Sequence, residues 1–301
     1  MTKLRHRRSQ RPEESKKPRR SSLILDALRR LRKNRLAMIG AFLIASFVFM
    51  ALFAQVISPY DPIAQDWKSV KQAPSASHPF GTDELGRDLL SRVIHGARIS
   101  ITIGLISVSI GLVFGSSIGL ISGFFGGAWD NVLMRIMDIM LAIPYVLLAI
   151  AIVAILGPGL WNTMIAIGIV TIPQFARLVR SSVLEIKATD YVEAARAIGA
   201  GNIRIMVRHV LVNSLSPIIV QSTMTIASAI LNAAALGFLG LGAQPPIPEW
   251  GVMLSDGRLL LLVAPWIVTF PGIAIMLSVL GFNMLGDGLR DALDPRMQKS
   301  S

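Results

Sequence analysis

The chain has no cysteine among its 301 residues, which excludes disulfides, thiolate metal sites and cysteine nucleophiles. Histidine is nearly as scarce: His6, His78, His95 and His209 lie far apart, without the spacing of metal ligands, so no metal site is expected. No Gly-x-x-x-x-Gly-Lys-Ser/Thr phosphate loop occurs, so any ATP-driven step must take its hydrolysis from another chain. Charge is sparse too, at 16% of residues, too little for the surface of a soluble globular domain. An ion- or proton-coupled carrier acting alone would need carboxylates deep within apolar runs, and none is found. An integral membrane enzyme would need a nucleophile–base or metal cluster, also missing. Gly115-Ser-Ser-Ile-Gly119 matches the hydrolase elbow only formally, because that motif needs a strand–turn–helix context.

What fills the chain instead is apolar sequence: 52% of residues, with a mean hydropathy of +0.58. Runs of membrane-spanning length fall near Leu36–Ile57, Ile99–Phe125, Val132–Leu156, Leu160–Phe175, Val210–Leu241 and Leu259–Leu285. The expected fold class is an all-α polytopic membrane protein with six transmembrane helices. A net charge of +12 raises a nucleic-acid reading, but the distribution of charge opposes it. With the N-terminus inside, 24 of the 30 Lys and Arg fall on inner segments and only six on outer loops. That asymmetry is the positive-inside pattern, so both termini are expected in the cytoplasm and no nucleic acid is expected as a partner. The first span is a retained helix rather than a signal peptide, being longer than a signal h-region and lacking a small-x-small site after it.

Residues 1–22 are rich in Arg, Lys, Ser and Pro and expected to be disordered. A basic amphipathic helix follows, with Leu25, Leu28 and Leu31 at helical spacing beside Arg29, Arg30, Arg32 and Lys33, suited to the inner membrane surface and its anionic lipid. The resulting division is a basic tail and amphipathic helix at 1–35, a first span at 36–57, and an outer loop with an interfacial helix at 58–98. A core of five spans at 99–285 and a cytoplasmic tail at 286–301 complete it. In the outer loop, Asp88 is placed to cap a helix whose apolar face is Leu89, Leu90, Val93, Ile94 and Ala97, with Arg87, Arg92 and Arg98 at the lipid–water boundary.

Within the spans, Gly111, Gly115, Gly119 and Gly123 recur every fourth residue, a small-xxx-small face for close helix packing. Ser214, Gln221, Thr225, Ser228 and Asn232 share one face of the fifth span. Such a stripe serves either interhelical hydrogen bonds or one wall of a translocation path, because facing lipid would be costly. Arg135 and Asp138, three apart at the start of the third span, are expected to neutralise each other. Pro144, Pro173, Pro265 and Pro271 imply kinks.

Four segments carry a family resemblance. Tyr191–Asn213, a polar and basic segment containing Glu193-Ala194-Ala195 and a Gly199-Ala200-Gly201 cluster, resembles the EAA loop of binding-protein-dependent ATP-binding-cassette (ABC) importer permeases. Gly81-Thr-Asp-x-x-Gly86-Arg-Asp88-x-x-Ser-Arg resembles the smaller permease type of the dipeptide, oligopeptide and nickel importers, and Gly240–Gly251 and Asn283–Arg296 match in the same order. One departure is Val212, where the family usually has proline. The resemblance implies a type I ABC importer permease fold. It also implies a loop of two short helices that docks an ATPase through Glu193, Ala194, Ala195, Gly199, Ile203 and His209. Gly81, Thr82, Asp83, Gly86, Arg87 and Asp88 form the extracytoplasmic signature, which serves either as a structural element or as a substrate contact.

The implied partners are a sister permease forming a heterodimer, two ATPase subunits holding Mg-ATP, and an extracytoplasmic solute-binding protein, in a bacterial inner membrane. No cofactor is expected on this chain. Dipeptides, oligopeptides, glutathione and nickel all remain open as cargo.

Overall fold

The computed structural model describes residues 23–293; the basic tail before Leu23 and the end after Leu293 lie outside the described residues. Among them every regular element is helical. The short α1 (Leu23–Lys33) stops at Asn34, whose side chain accepts from the Ala37 amide at 3.2 Å and so starts α2 (Arg35–Ile57). A strap of irregular chain, residues 58–88, leads to α3 (Leu89–Phe125), α4 (Gly127–Ala142), α5 (Tyr145–Leu156) and α6 (Leu160–Lys187). Two short helices, α7 (Asp190–Ala197) and α8 (Asn202–Ile205), and a wide π-type turn at Met206–Leu211 precede α9 (Leu215–Phe238). The last helices are α10 (Trp250–Gly257) and α11 (Trp266–Leu293).

Five of these helices are long and apolar enough to cross a membrane, and six spans result if the bent pair α4–α5 is one of them. That pair departs from the single third span expected at Val132–Leu156. The axis turns by 96° at Ile143–Pro144, because the proline ring disfavours helical backbone at the preceding residue and Ile143 is extended there. Pro173 and Pro271, in contrast, sit inside continuous helices.

Other bounds also shift. The fourth helix runs on to Lys187 and the fifth begins at Leu215 rather than Val210. The sixth begins at Trp266, leaving Leu259, Leu261, Leu262 and Val263 outside it and exposed. No separate interfacial helix precedes the second span. Asp88 accepts from the Ser91 amide at 2.8 Å and starts one continuous helix of 37 residues. Such a helix is about 55 Å long, against a hydrocarbon core of about 30 Å, so its first turns stand clear of lipid.

The main seam is α3 against α6, made possible by the glycine stripe. A Cβ on Gly115 would stand 2.5 Å from the Ile172 carbonyl oxygen, and one on Gly123 2.9 Å from Val183. Gly111 meets Thr171 and Gly119 meets the Ala176 carbonyl in the same way. α2 and α11 pack on the other side, and α9 lies between them and α6. The start of α2 and the end of α11 share one end of the bundle, where Asn34 Nδ2 donates to Asp291 at 3.4 Å. The strap and α10 share the other: Trp250 Nε1 donates to the Val93 carbonyl and Trp266 Nε1 to the Thr82 carbonyl, both at 3.1 Å.

Candidate functional site

At the end where α2 starts and α11 finishes, α7 and α8 form a compact hairpin. Asp190 and Glu193 lie in the first turn of α7, where the helix dipole favours negative charge. Gly199 has φ +83, and its amide donates to the Arg196 carbonyl while that of Ala200 donates to Ala195. That pair of bonds is a Schellman stop, whose left-handed residue is best filled by glycine.

The inner faces of the hairpin are pinned: Val192, Ala195 and Ile205 are buried in a cluster with Phe124, Val183, Val210 and Ile218. Lys187 Nζ donates to the Phe124 carbonyl at 2.5 Å, and Lys187 and Arg196 both lie over the Phe124 ring. The hairpin is therefore fixed to the ends of α3 and α6 rather than loosely tethered.

Its outer face is unlike a solvated loop. Ile198 is 86% and Ile203 74% exposed, apolar residues standing proud on either side of the Gly199 bend. Beside Ile198 runs a groove of about 450 Å³ lined also by Tyr191, Ala194, Ala195, Arg204 and His209, among others. The Glu193 side chain is exposed, with no partner among the described residues. Of the six residues the resemblance singled out, Glu193, Ala194, Gly199 and Ile203 face outward, His209 is half-buried beside Tyr191, and Ala195 faces inward as an anchor. Ile198 escaped sequence reasoning, though an isoleucine beside a glycine bend in a basic loop is the signal to look for.

The polar stripe of α9 is divided by the fold. Ser214 and Thr225 are buried, Gln221 and Asn232 half-buried, and Ser228 exposed. Their bonds are local: the Ser214, Thr225 and Ser228 hydroxyls bond carbonyls one turn back, as does the Asn232 amide, and Gln221 Nε2 donates to Thr225 Oγ1 at 3.1 Å. Of the stripe, Gln221 alone reaches a cavity of about 590 Å³ that opens between α6, α9 and α11.

The expected Arg135–Asp138 pair is replaced by Asp138 with Arg177 at 2.6 Å, because α6 brings a guanidinium across to it. One turn further on, Arg180 holds Asp130 bidentately at 2.5 and 2.6 Å, tying α4 to α6.

At the opposite end, the signature segment is consumed by its own fold. Arg87 and Arg92 are buried rather than placed at a lipid–water boundary. Asp83 takes Arg87 at 2.5 Å and Arg92 at 3.5 Å, and Arg92 also donates to the Pro62 carbonyl at 3.0 Å. Asp88 holds His78 at 2.9 Å besides capping α3, and the Thr82 hydroxyl bonds strap backbone at Ser69 and Gln72. Gly81 and Gly86 sit at positive-φ turns of the strap. These contacts lash residues 58–88 onto α3, α10 and α11.

Glu249, inside the Gly240–Gly251 run, is buried and accepts from the amides of Gly251 and Val252, each at 2.9 Å, at the start of α10. Desolvation raises its pKa from 4.5 to about 7, against the pull of the two amide bonds. The folded state thus binds this proton more tightly than the unfolded one. The associated stability is fully present below about pH 4.5 and is lost as pH rises through about 7. The effect is on the order of 3 kcal/mol. Thermal unfolding of the purified protein should therefore show a midpoint that falls from pH 5 to pH 8, and Glu249→Gln should flatten that slope. An unchanged slope in the variant would disprove the assignment.

Comparison with known proteins adds to this geometry. Residues 115–299 match the family model described as "Binding-protein-dependent transport system inner membrane component", and residues 22–74 match "N-terminal TM domain of oligopeptide transport permease C". The chain is 54% identical to a dipeptide transport system permease protein of Alkalihalophilus pseudofirmus, over 91% of this chain and 90% of the relative. It is 53% identical to a di/tripeptide transport system permease protein of Pseudomonas aeruginosa (89% and 90% covered). A glutathione transport system permease protein of Escherichia coli is 48% identical (90% and 89% covered). Among solved structures, an inward-facing methionine ABC transporter chain superposes with a TM-score of 0.56 at 21% identity, covering 67% of this chain and 96% of that one, a likeness of fold.

Proposed function

Because the chain belongs to the family of binding-protein-dependent transport inner membrane components, we propose that it carries di- or tripeptides across the bacterial inner membrane. It is a transmembrane permease subunit of an ATP-driven importer, with the type I permease fold, and ATP is hydrolysed on separate subunits. In the proposed assembly it pairs with a sister permease, two ATPase subunits bind Mg-ATP and dock on α7 and α8, and a solute-binding protein delivers cargo to the end capped by the strap. Both termini then face the cytoplasm, in line with the 24-to-6 distribution of Lys and Arg.

The observation that carries docking is the pair Ile198 and Ile203, exposed on a hairpin whose other face is locked into the core. Apolar side chains in that position are covered by a partner rather than left in water. Closure of the ATPases would pull the hairpin, and Phe124 with Val183 would pass the movement to α3 and α6, alternating the path between its two openings. The peptide cargo rests on the names of the relatives.

The test is reconstitution of the complex with the co-encoded subunits in proteoliposomes. Uptake of a labelled dipeptide should require both ATP and the loaded binding protein. Uptake by this chain alone, driven by an ion gradient, would overturn the reading. Orientation is checked on the cysteine-free chain: cysteines at Ser75 and Pro246 should react with an impermeant maleimide from outside, and one at Ala200 should not.

A further inference from the structure

One cavity holds two opposite charges that no hydrogen bond or ion pair among the described residues engages. It opens between the last turns of α6, the first turns of α9 and the end of α11, at the same end as the docking hairpin, with a volume of about 590 Å³. That volume is typical of small-molecule sites. Glu185 projects from α6 and Arg290 from α11, both lining it. Neither side chain has a hydrogen bond or ion pair among the described residues, although the carboxylates and guanidiniums nearby, Asp130, Asp138, Arg177 and Arg180, are all paired. The two thus line one cavity from different helices without closing on each other.

Leu178, Ile186, Val220 and Met224 make much of the lining apolar, and its uncharged polar groups come from Ser182, Asn213, Ser216 and Gln221. Gln221 Nε2 gives one of its two hydrogens to Thr225 and its carbonyl oxygen is open, and the Ser182 hydroxyl donates to Leu178 and keeps its lone pairs. Asn213 Nδ2 donates to the His209 carbonyl at 2.6 Å and to Tyr191 Oη at 3.1 Å, which again leaves an oxygen to accept. Open acceptors on Gln221, Ser182 and Asn213 thus accompany one carboxylate, and the one positive charge on the lining is the Arg290 guanidinium. A ligand complementary to that arrangement has an ammonium group at one end and a carboxylate at the other.

We propose that this cavity is an inner cargo subsite for a small zwitterion of the peptide type, its ammonium taken by Glu185 and the neighbouring carbonyl oxygens and its carboxylate by Arg290. The proposal rests on the peptide-carrying reading and adds the residues. Fixed opposite charges offset part of the water a zwitterion sheds on its way through. Both charged groups remain exposed to water, which keeps the hold weak enough for release, as a transport path requires. Asn213 bonds directly to the residues of the docking hairpin, so ATPase-driven movement of that hairpin reaches the subsite without an intermediary.

The chain's lack of cysteine allows a direct test. Ser216, on the cavity wall, is replaced by cysteine in the assembled complex with its ATPases and sister permease. Labelling of this chain by an impermeant maleimide is then followed in inside-out vesicles. Millimolar dialanine should slow labelling about fivefold, as a weak charge-assisted contact would, while the same peptide with both ends blocked should not. Glu185→Gln or Arg290→Gln should erase the protection, and Arg290→Lys, which keeps the charge, should retain most of it. Equal protection by the blocked peptide, protection that survives both neutral substitutions, or no protection in a complex that imports dialanine would each overturn the subsite. A complex that fails to import any dipeptide condemns the cargo reading instead, and the uptake assay separates the two.

Discussion

Replacing Gly115 with leucine should remove nearly all folded protein from the membrane. The stripe on α3 lets α6 approach until backbone meets backbone: at Gly115 a Cβ would lie 2.5 Å from the Ile172 carbonyl oxygen and 2.6 Å from the Phe175 Cβ. Neither neighbour can step aside, since one is helix backbone and the other belongs to a fully buried residue. Overpacking in a soluble core costs about 1–3 kcal/mol. Here the obstruction is main chain, and in lipid no hydrophobic force holds the separated helices together, so close packing is itself the driving term. The seam must open along its length, carrying Gly119 and Gly123 out of contact as well. Accumulation of Gly115→Leu in membranes should fall by about tenfold or more, and what remains should melt earlier in detergent. Val113→Leu, on an exposed face of the same helix, supplies the control and should behave like the parent. A Gly115→Leu protein with parental yield and melting would mean that the seam is not the stabilising contact.

That seam was legible because spacing on a single helix is a one-dimensional signal. Four glycines at intervals of four can only mark one face, and the partner had to be some helix. The same holds for Asp88 before its apolar run, and for Glu193-Ala194-Ala195 followed by Gly199, where cap and stop chemistry are local.

Signals that depend on two distant elements were not legible. Arg87 and Arg92 read as boundary charges, since hydropathy counts a guanidinium as polar without knowing that Asp83 and a strap carbonyl will receive it. Asp138 offered Arg135 as an obvious partner three residues away, but α6 brought Arg177 closer. The third span read as one apolar run kinked at Pro144, but the 96° turn that divides it there is set by packing no single segment shows. Leu259–Val263 read as span for the same reason, though α11 starts only at Trp266. The inner cavity takes one charge from α6 and the other from α11, a juxtaposition no single segment could announce.

The other large effect belongs to the hairpin proposed to dock the ATPase, and Ile198→Glu should be its most damaging change. Ile198 is 86% exposed in this chain alone, and covering such a side chain contributes about 1.5–3 kcal/mol. Glutamate forfeits that contribution and adds a charge to be desolvated in the contact. Together these should weaken ATPase binding by about a hundredfold or more, which is near 2.7 kcal/mol. Glu193→Lys acts differently. It reverses a charge in the first turn of α7, which opposes the helix dipole and removes a carboxylate free to take charge-assisted hydrogen bonds worth about 1.5–3 kcal/mol. Gly199→Val touches no neighbour, as nothing lies within 4 Å of its would-be Cβ, but it forces a branched residue to φ +83. The Schellman stop would then loosen and the angle between α7 and α8 would drift.

These three changes therefore separate affinity from geometry. Ile198→Glu should lose the ATPase on co-purification, whereas Gly199→Val should retain much of it and hydrolyse ATP without proportionate uptake. All three should leave membrane insertion intact, because the buried anchors Val192, Ala195, Ile205 and Phe124 are untouched. If Ile198→Glu and Glu193→Lys both co-purify with the ATPase and import cargo at parental rates, the hairpin is not the docking element. The exposed isoleucines would then need another explanation.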